Sequence, residues 1–192
     1  MIVQKYKDML SGKSVIRQLS EFAAKRGAEI GYENVFDYSL GNPSVPVPHE
    51  FTDRMIHMLA TRNPMELHGY SPSLGIPSVR EAIAASLEER FGLPYRAEHI
   101  FMASGAAGAL AHAFRLVAEP GDEIITFAPF FPEYRPYVNL SGAVLKIVPP
   151  QTKDFQINFE AFEEMIGDKT MAVLINTPNN PSGVVYSEDT LK

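Results

Sequence analysis

The sequence predicts an α/β fold built on a mainly parallel sheet, and three observations predict it. Short apolar runs recur from residue 99 onward: HIFMAS (99–104), EIITFA (123–128), AVLKIV (143–148) and MAVLIN (171–176). Each run is apolar on successive positions, as strands covered on both faces are. Segments of helical periodicity separate them, which is the βαβ pattern. In such sheets ligands bind beyond the carboxyl ends of the strands. That rule directs attention to three loops: 104–108, 128–134 and 176–183.

The elements follow in order. Residues 14–29 read as an amphipathic helix, with Ser14 as its cap and Ile16, Leu19, Phe22 and Ala23 on one face. Phe36–Leu40 reads as a short strand. GNPSVPVP (41–48) is irregular, because three prolines remove donors and fix φ. Residues 50–60 and 77–91 read as helices, the second with Pro77 in its first turn and Ile83, Leu87 and Phe91 at helical spacing. Beyond the strand 99–104, residues 105–118 form a helix. EPGD turns the chain into the strand 123–128, residues 130–142 are partly helical, and 143–148 is a strand. Asn158 caps a helix whose Phe159, Phe162 and Ile166 share a face, and Gly167 ends it. Residues 171–176 form the last strand.

Composition excludes several classes of function. The 192 residues suffice for one domain with a sizeable core. The net charge is -6 and no Lys/Arg-rich run occurs, which argues against nucleic-acid and membrane-surface partners. No cysteine is present, so a disulfide framework and a thiolate metal site are excluded, and a cytoplasmic location is expected. The first residues, MIVQKYKDMLSGK, lack the apolar core of a signal peptide. His49, His57, His68, His99 and His112 show no metal-ligand spacing, and no G-x-S-x-G elbow occurs.

The three loops carry chemistry of different kinds. ASGAAGAL (103–110) joins a strand to a helix, and its small residues let a ligand approach the backbone. The first N–H groups of that helix lack internal partners and lie at the positive end of its dipole, which suits an anion. The loop serves equally for close packing of helix on sheet. APFFPEY (128–134) places two aromatic residues at the next strand end, where one ring can stack on a flat ligand or both can fill the core. A cis bond before Pro129 would re-aim both. NTPNNPSG (176–183) supplies amide side chains that can donate to a phenolate or carbonyl oxygen. An Asx-type turn explains one Asn–Pro in it but explains two poorly. Asn180–Pro181 is a further candidate for a cis bond. In HGYSPSLG (68–75), Tyr70 either donates to an anion or packs with its hydroxyl in water.

Taken together and in order, LGNP (40–43), Tyr70 followed by SVREAIA (78–84), SGAAGAL (104–110), PGDEIITFAPFFPEY (120–134) and NTPNNPSG resemble the fold-type I pyridoxal-phosphate enzymes, and within them the class I/II aminotransferases. The resemblance implies a three-layer α/β/α large domain, here incomplete. Residues 1–48 would be an N-terminal arm and part of the small domain, and 49–192 the N-terminal part of the cofactor-binding large domain. Gly105, Ala106 and Ala107 would give N–H groups to the cofactor phosphate. Phe131 would stack on the pyridine ring, and Asn180 would hydrogen-bond its phenolic oxygen and lie near the substrate. Gly41 would lie beside the substrate carboxylate. Tyr70 would reach the phosphate held by the neighbouring subunit of a homodimer. The substrates implied are an amino acid and a 2-oxo acid. The family's Schiff-base lysine lies downstream of the NNPSG-like motif, and Lys5, Lys7, Lys13, Lys25, Lys146, Lys153, Lys169 and Lys192 are none of them in its setting. No catalytic residue is therefore expected in this chain. It is expected to be the N-terminal portion of a longer protein and inactive by itself. A carbon–sulfur β-lyase or another enzyme on the same scaffold, and a non-catalytic cofactor-binding or dimerisation module, remain the alternatives.

Overall fold

The computed structural model describes residues 2–4, 7, 14–41, 43 and 45–192. Asn42 of LGNP, Ser44 and most of MIVQKYKDMLSGK, with Lys5 and Lys13, lie outside the described residues. The chain divides into two compact units, Met1–Tyr70 and Ser71–Lys192. Among the described residues no helix is long and apolar enough to cross a membrane. Nor do three His, Asp or Glu side chains gather in a way that could hold a metal ion.

The first unit is helical. Helix α1 (Val15–Ile30) matches the expected helix, but Ser14 makes no side-chain cap bond. Its Leu19, Phe22 and Ala23 line an open groove of about 350 Å³ with Val35, Phe36 and Tyr38. Helix α2 (His49–Thr61) and the short α3 (Pro64–His68) follow. Asn63 caps α3, its Oδ1 accepting from the N–H of Met65 at 2.9 Å. Phe36–Leu40 is not a strand. An isolated extended segment has no ladder to complete, and among the described residues no strand runs beside it.

The second unit carries the sheet. Helix α4 (Pro77–Phe91) begins with Pro77 in its first turn and ends on Gly92 in the left-handed conformation. Its inner face runs through Ile83, Ala84 and Leu87, whereas Phe91 is exposed. Residues 99–104 are not a strand either. Instead Arg80 of α4 donates from Nε to the carbonyl of Ile100 at 2.9 Å, holding the segment as irregular backbone. Helix α5 (Gly105–Val117), β1 (Glu123–Phe127), α6 (Tyr134–Ser141), β2 (Val144–Val148), α7 (Phe159–Met165), β3 (Thr170–Leu174) and α8 (Glu188–Leu191) complete the unit.

The three strands lie in the order β2-β1-β3 and all pairs are parallel. β1 is central and almost wholly buried, which is why EIITF is apolar on both faces. Strand alternation then sorts the core into two layers. Ile124 packs on one face with Phe114 and Ala118 from the α5 end and with Val138 and Ala143 from the α6 end. Ile125 and Phe127 pack on the other with Val148, Ile157 and Tyr186, against Phe162 of α7. The result is helix, sheet, helix. The buried face of α7 runs through Ala161, Phe162 and Met165. Phe159 and Ile166, expected to share that face, are exposed, and the helix stops at Met165, two residues before Gly167. Asn158 does cap it, its Oδ1 accepting from the N–H of Ala161.

Candidate active site

Topology brings three loops to one edge of the sheet. β1 and β3 are parallel, so the segments after Phe127 and Leu174 leave from the same edge. Helix α5 reaches β1 through the short turn 118–122, which reverses the chain. Its 13 residues extend about 20 Å, and the five of β1 about 17 Å. The N-terminus of α5 therefore returns to the level of the carboxyl end of β1.

At that N-terminus Gly105 has φ +69, and a Cβ built there meets no heavy atom within 4 Å. The backbone is open to an approaching group, and a positive φ favours glycine. The N–H of Gly105 itself donates to the carbonyl of Ala103 at 3.0 Å. The Gly105 N–H, expected to serve a ligand together with those of Ala106 and Ala107, is thus engaged within the loop in this structure. Among the described residues no acceptor faces the N–H of Ala106 or Ala107. Ser104 makes no side-chain cap bond to them.

The loop after β1 contains a cis Ala128–Pro129 bond. Phe130 stacks along Tyr134, with ring centroids 6.3 Å apart. Phe131 meets the same ring edge-on at 5.7 Å and remains half-buried. One face of the Phe131 ring is therefore not used by Tyr134. Burial pushes the Tyr134 phenol above its ordinary range, with Tyr137 adding to the effect. Tyr186, buried with Phe127, Val148 and Ile157, is pushed up by burial and then by Tyr134.

The loop after β3 answers why two asparagines lie between prolines. Thr177–Pro178 and Asn180–Pro181 are both cis. Asn179 is buried, 7% exposed. Its Nδ2 donates to the carbonyl of Pro129 at 2.9 Å and to Ser182 Oγ at 2.8 Å. Asn180 is exposed, and its N–H is held by Asn176 Oδ1 at 2.9 Å. Among the described residues the Asn180 side chain makes no hydrogen bond, so its amide is unspent. Sequence reasoning singled out Asn180 and missed Asn179. The doubled asparagine was the only signal of a second role.

Gly41 and Tyr70 belong to the first unit. A Cβ at Gly41 would meet nothing within 4 Å. The Tyr70 side chain is fully exposed.

An α/β/α layer with an open helix N-terminus, an aromatic loop and an amide loop on one edge defines a ligand-binding enzyme domain of the doubly wound kind. Comparison with known proteins identifies which kind. Residues 33–192 match the sequence pattern of the family described as aminotransferase class I and II. The chain belongs to that family. It is 34% identical over 161 residues to an aspartate aminotransferase of Thermotoga maritima, covering 83% of this chain and 42% of that protein. It is 30% identical over 178 residues to a methionine aminotransferase of Escherichia coli, covering 92% of this chain and 43% of that protein. A crystal structure of an aminotransferase from Eubacterium rectale superposes with a TM-score of 0.94 at 43% identity, over 100% of this chain and 48% of that one. The fold is that of the fold-type I aminotransferases, and the family implies pyridoxal phosphate as cofactor. The chain spans about half the length of the relatives it matches.

Proposed function

We propose that the protein is a pyridoxal-phosphate-dependent aminotransferase, of which this chain forms the cofactor cradle. The observation that carries the reading is the convergence of complementary unspent groups on one sheet edge. Two free N–H groups at a helix N-terminus suit a phosphate. A half-free aromatic ring suits a flat heterocycle, and an unspent amide suits a phenolic oxygen.

In this reading Ala106 and Ala107 donate to the phosphate, and Gly105 lets it approach the backbone. Phe131 stacks on the pyridine ring, and Asn180 donates to its phenolic oxygen. Gly41 leaves room for the substrate carboxylate. Tyr70 serves the phosphate of the neighbouring subunit in a homodimer. Bound pyridoxal phosphate supplies the electron sink for chemistry at the α-carbon of an amino acid. None of this chain's lysines is assigned to join the cofactor, and residues 1–48 and 49–192 are assigned to an arm with part of a small domain and to the large domain. The substrates are an amino acid and a 2-oxo acid. A cytoplasmic location goes with a chain that has no cysteine to form disulfides.

The test uses the protein as its source makes it, with pyridoxal phosphate, nitrogen-labelled amino acids and 2-oxo acids. Label appearing in a new amino acid supports the reading. Release of pyruvate and ammonia without transfer would replace it with a β-lyase.

A further inference from the structure

The geometry points to Asn179 as a positioning residue that sets the aromatic loop and the amide loop of the cradle in one fixed relation. The assignment rests on the cofactor reading given above. Three observations carry it.

First, Asn179 is buried and the donors of its side-chain amide are engaged within the protein. Both N–H groups of Nδ2 are used: one on the Pro129 carbonyl, one on Ser182 Oγ. Its Nδ2 therefore has no N–H left to donate to a ligand. Second, the partners lie on the two loops that matter. Pro129 is two residues before Phe131, and Asn179 is one residue before Asn180. The bond spans 50 positions in sequence. No backbone ladder joins these loops, because β1 ends at Phe127 and β3 at Leu174. Third, the stretch around Asn179 is closed on itself. Its N–H donates to the carbonyl of Val184 at 2.8 Å, and its carbonyl accepts from Gly183 at 2.7 Å. The Asn180 N–H is held by Asn176, and the Tyr186 N–H donates to Thr177 Oγ1 at 3.0 Å. The amide loop is thus braced by its own hydrogen bonds, and the Asn179–Pro129 bond ties it to the aromatic loop. The consequence is that the ring of Phe131 and the amide of Asn180 reach a flat ligand at a set height and angle.

A residue that acts through two others must lose its effect when they are removed. The experiment measures pyridoxal-phosphate affinity, by titrating cofactor absorbance, and helical content, by circular dichroism, on the protein as its source makes it. Asn179→Ala is expected to weaken binding about tenfold with unchanged helical content. In the Phe131→Ala/Asn180→Ala background the same substitution is expected to weaken binding less than twofold. Ser182→Ala, which keeps the Pro129 bond and removes the other acceptor, is expected to have a smaller effect of the same kind, also lost in that background. It carries the test should Asn179→Ala not fold. An equal effect in both backgrounds, or none in either, overturns the assignment while leaving the cofactor reading intact. A wild-type protein that binds no pyridoxal phosphate overturns both.

Discussion

Thr126 Oγ1 donates to the carbonyl of Leu174 at 3.0 Å, tying the central strand to the last residue of β3 just before the amide loop begins. Thr126 is 2% exposed, so the hydroxyl has no water to fall back on. A neutral buried hydrogen bond contributes about 1 kcal/mol net. Thr126→Val keeps the shape and removes the donor. Its expected cost is about 1–2 kcal/mol, measured by denaturant unfolding. A variant as stable as wild type would show that the bond contributes nothing.

Gly142 ends α6 with φ +83, in the left-handed region, and its carbonyl accepts from Gly121 at 3.1 Å. A Cβ there would lie 3.0 Å from Pro120 Cβ and 3.1 Å from Pro120 Cα. Strain and crowding act in the same direction. Gly142→Ala is expected to destabilise the fold by about 1–2 kcal/mol. Gly92, also left-handed, has open space around its missing Cβ. Gly92→Ala should therefore cost less, and the comparison separates crowding from backbone strain.

The pH dependence at the alkaline end follows from Tyr134 and Tyr186. Burial raises both phenols above the ordinary value of about 10. In the unfolded chain they lose their protons first, so the unfolded state binds fewer protons as pH rises past 10. Their contribution to stability is complete below that pH and is lost above it. Melting temperature should fall above about pH 10, more slowly in Tyr186→Phe than in wild type. Identical alkaline slopes would remove Tyr186 from the account.

Much of the fold was legible in the sequence, for a physical reason. A strand buried on both faces must be apolar throughout, and the runs at 123–127, 144–148 and 170–174 are recovered as strands. Residues 36–40 and 99–104 have similar composition but form none. A ladder needs a partner, and composition does not say whether one is present. Phe159 and Ile166 fit the spacing of the inner face of α7 but are exposed, and Ile166 lies just past the end of the helix. At the site, the kinds of group were legible and their division of labour was not. Spacing cannot tell which of two adjacent asparagines turns inward. Burial and the bonds to Pro129 and Ser182 separate them.

Phe131 separates stacking from mere core filling. Phe131→Ala is expected to weaken pyridoxal-phosphate binding by about 1–3 kcal/mol, if stacking resembles that of bases on aromatic rings. Phe131→Tyr keeps the ring and should bind nearly as well as wild type. Loss of stability in Phe131→Ala with unchanged affinity would place the ring in the core instead.

The most direct measurement is hydrogen–deuterium exchange of backbone amides with and without pyridoxal phosphate, read by mass spectrometry on the protein as its source makes it. Slowed exchange is expected at residues 105–108, 128–134 and 176–183, with the amides of β2 and α7 unchanged. Protection centred elsewhere, or none at saturating cofactor, would contradict the claim that these three loops form the cradle.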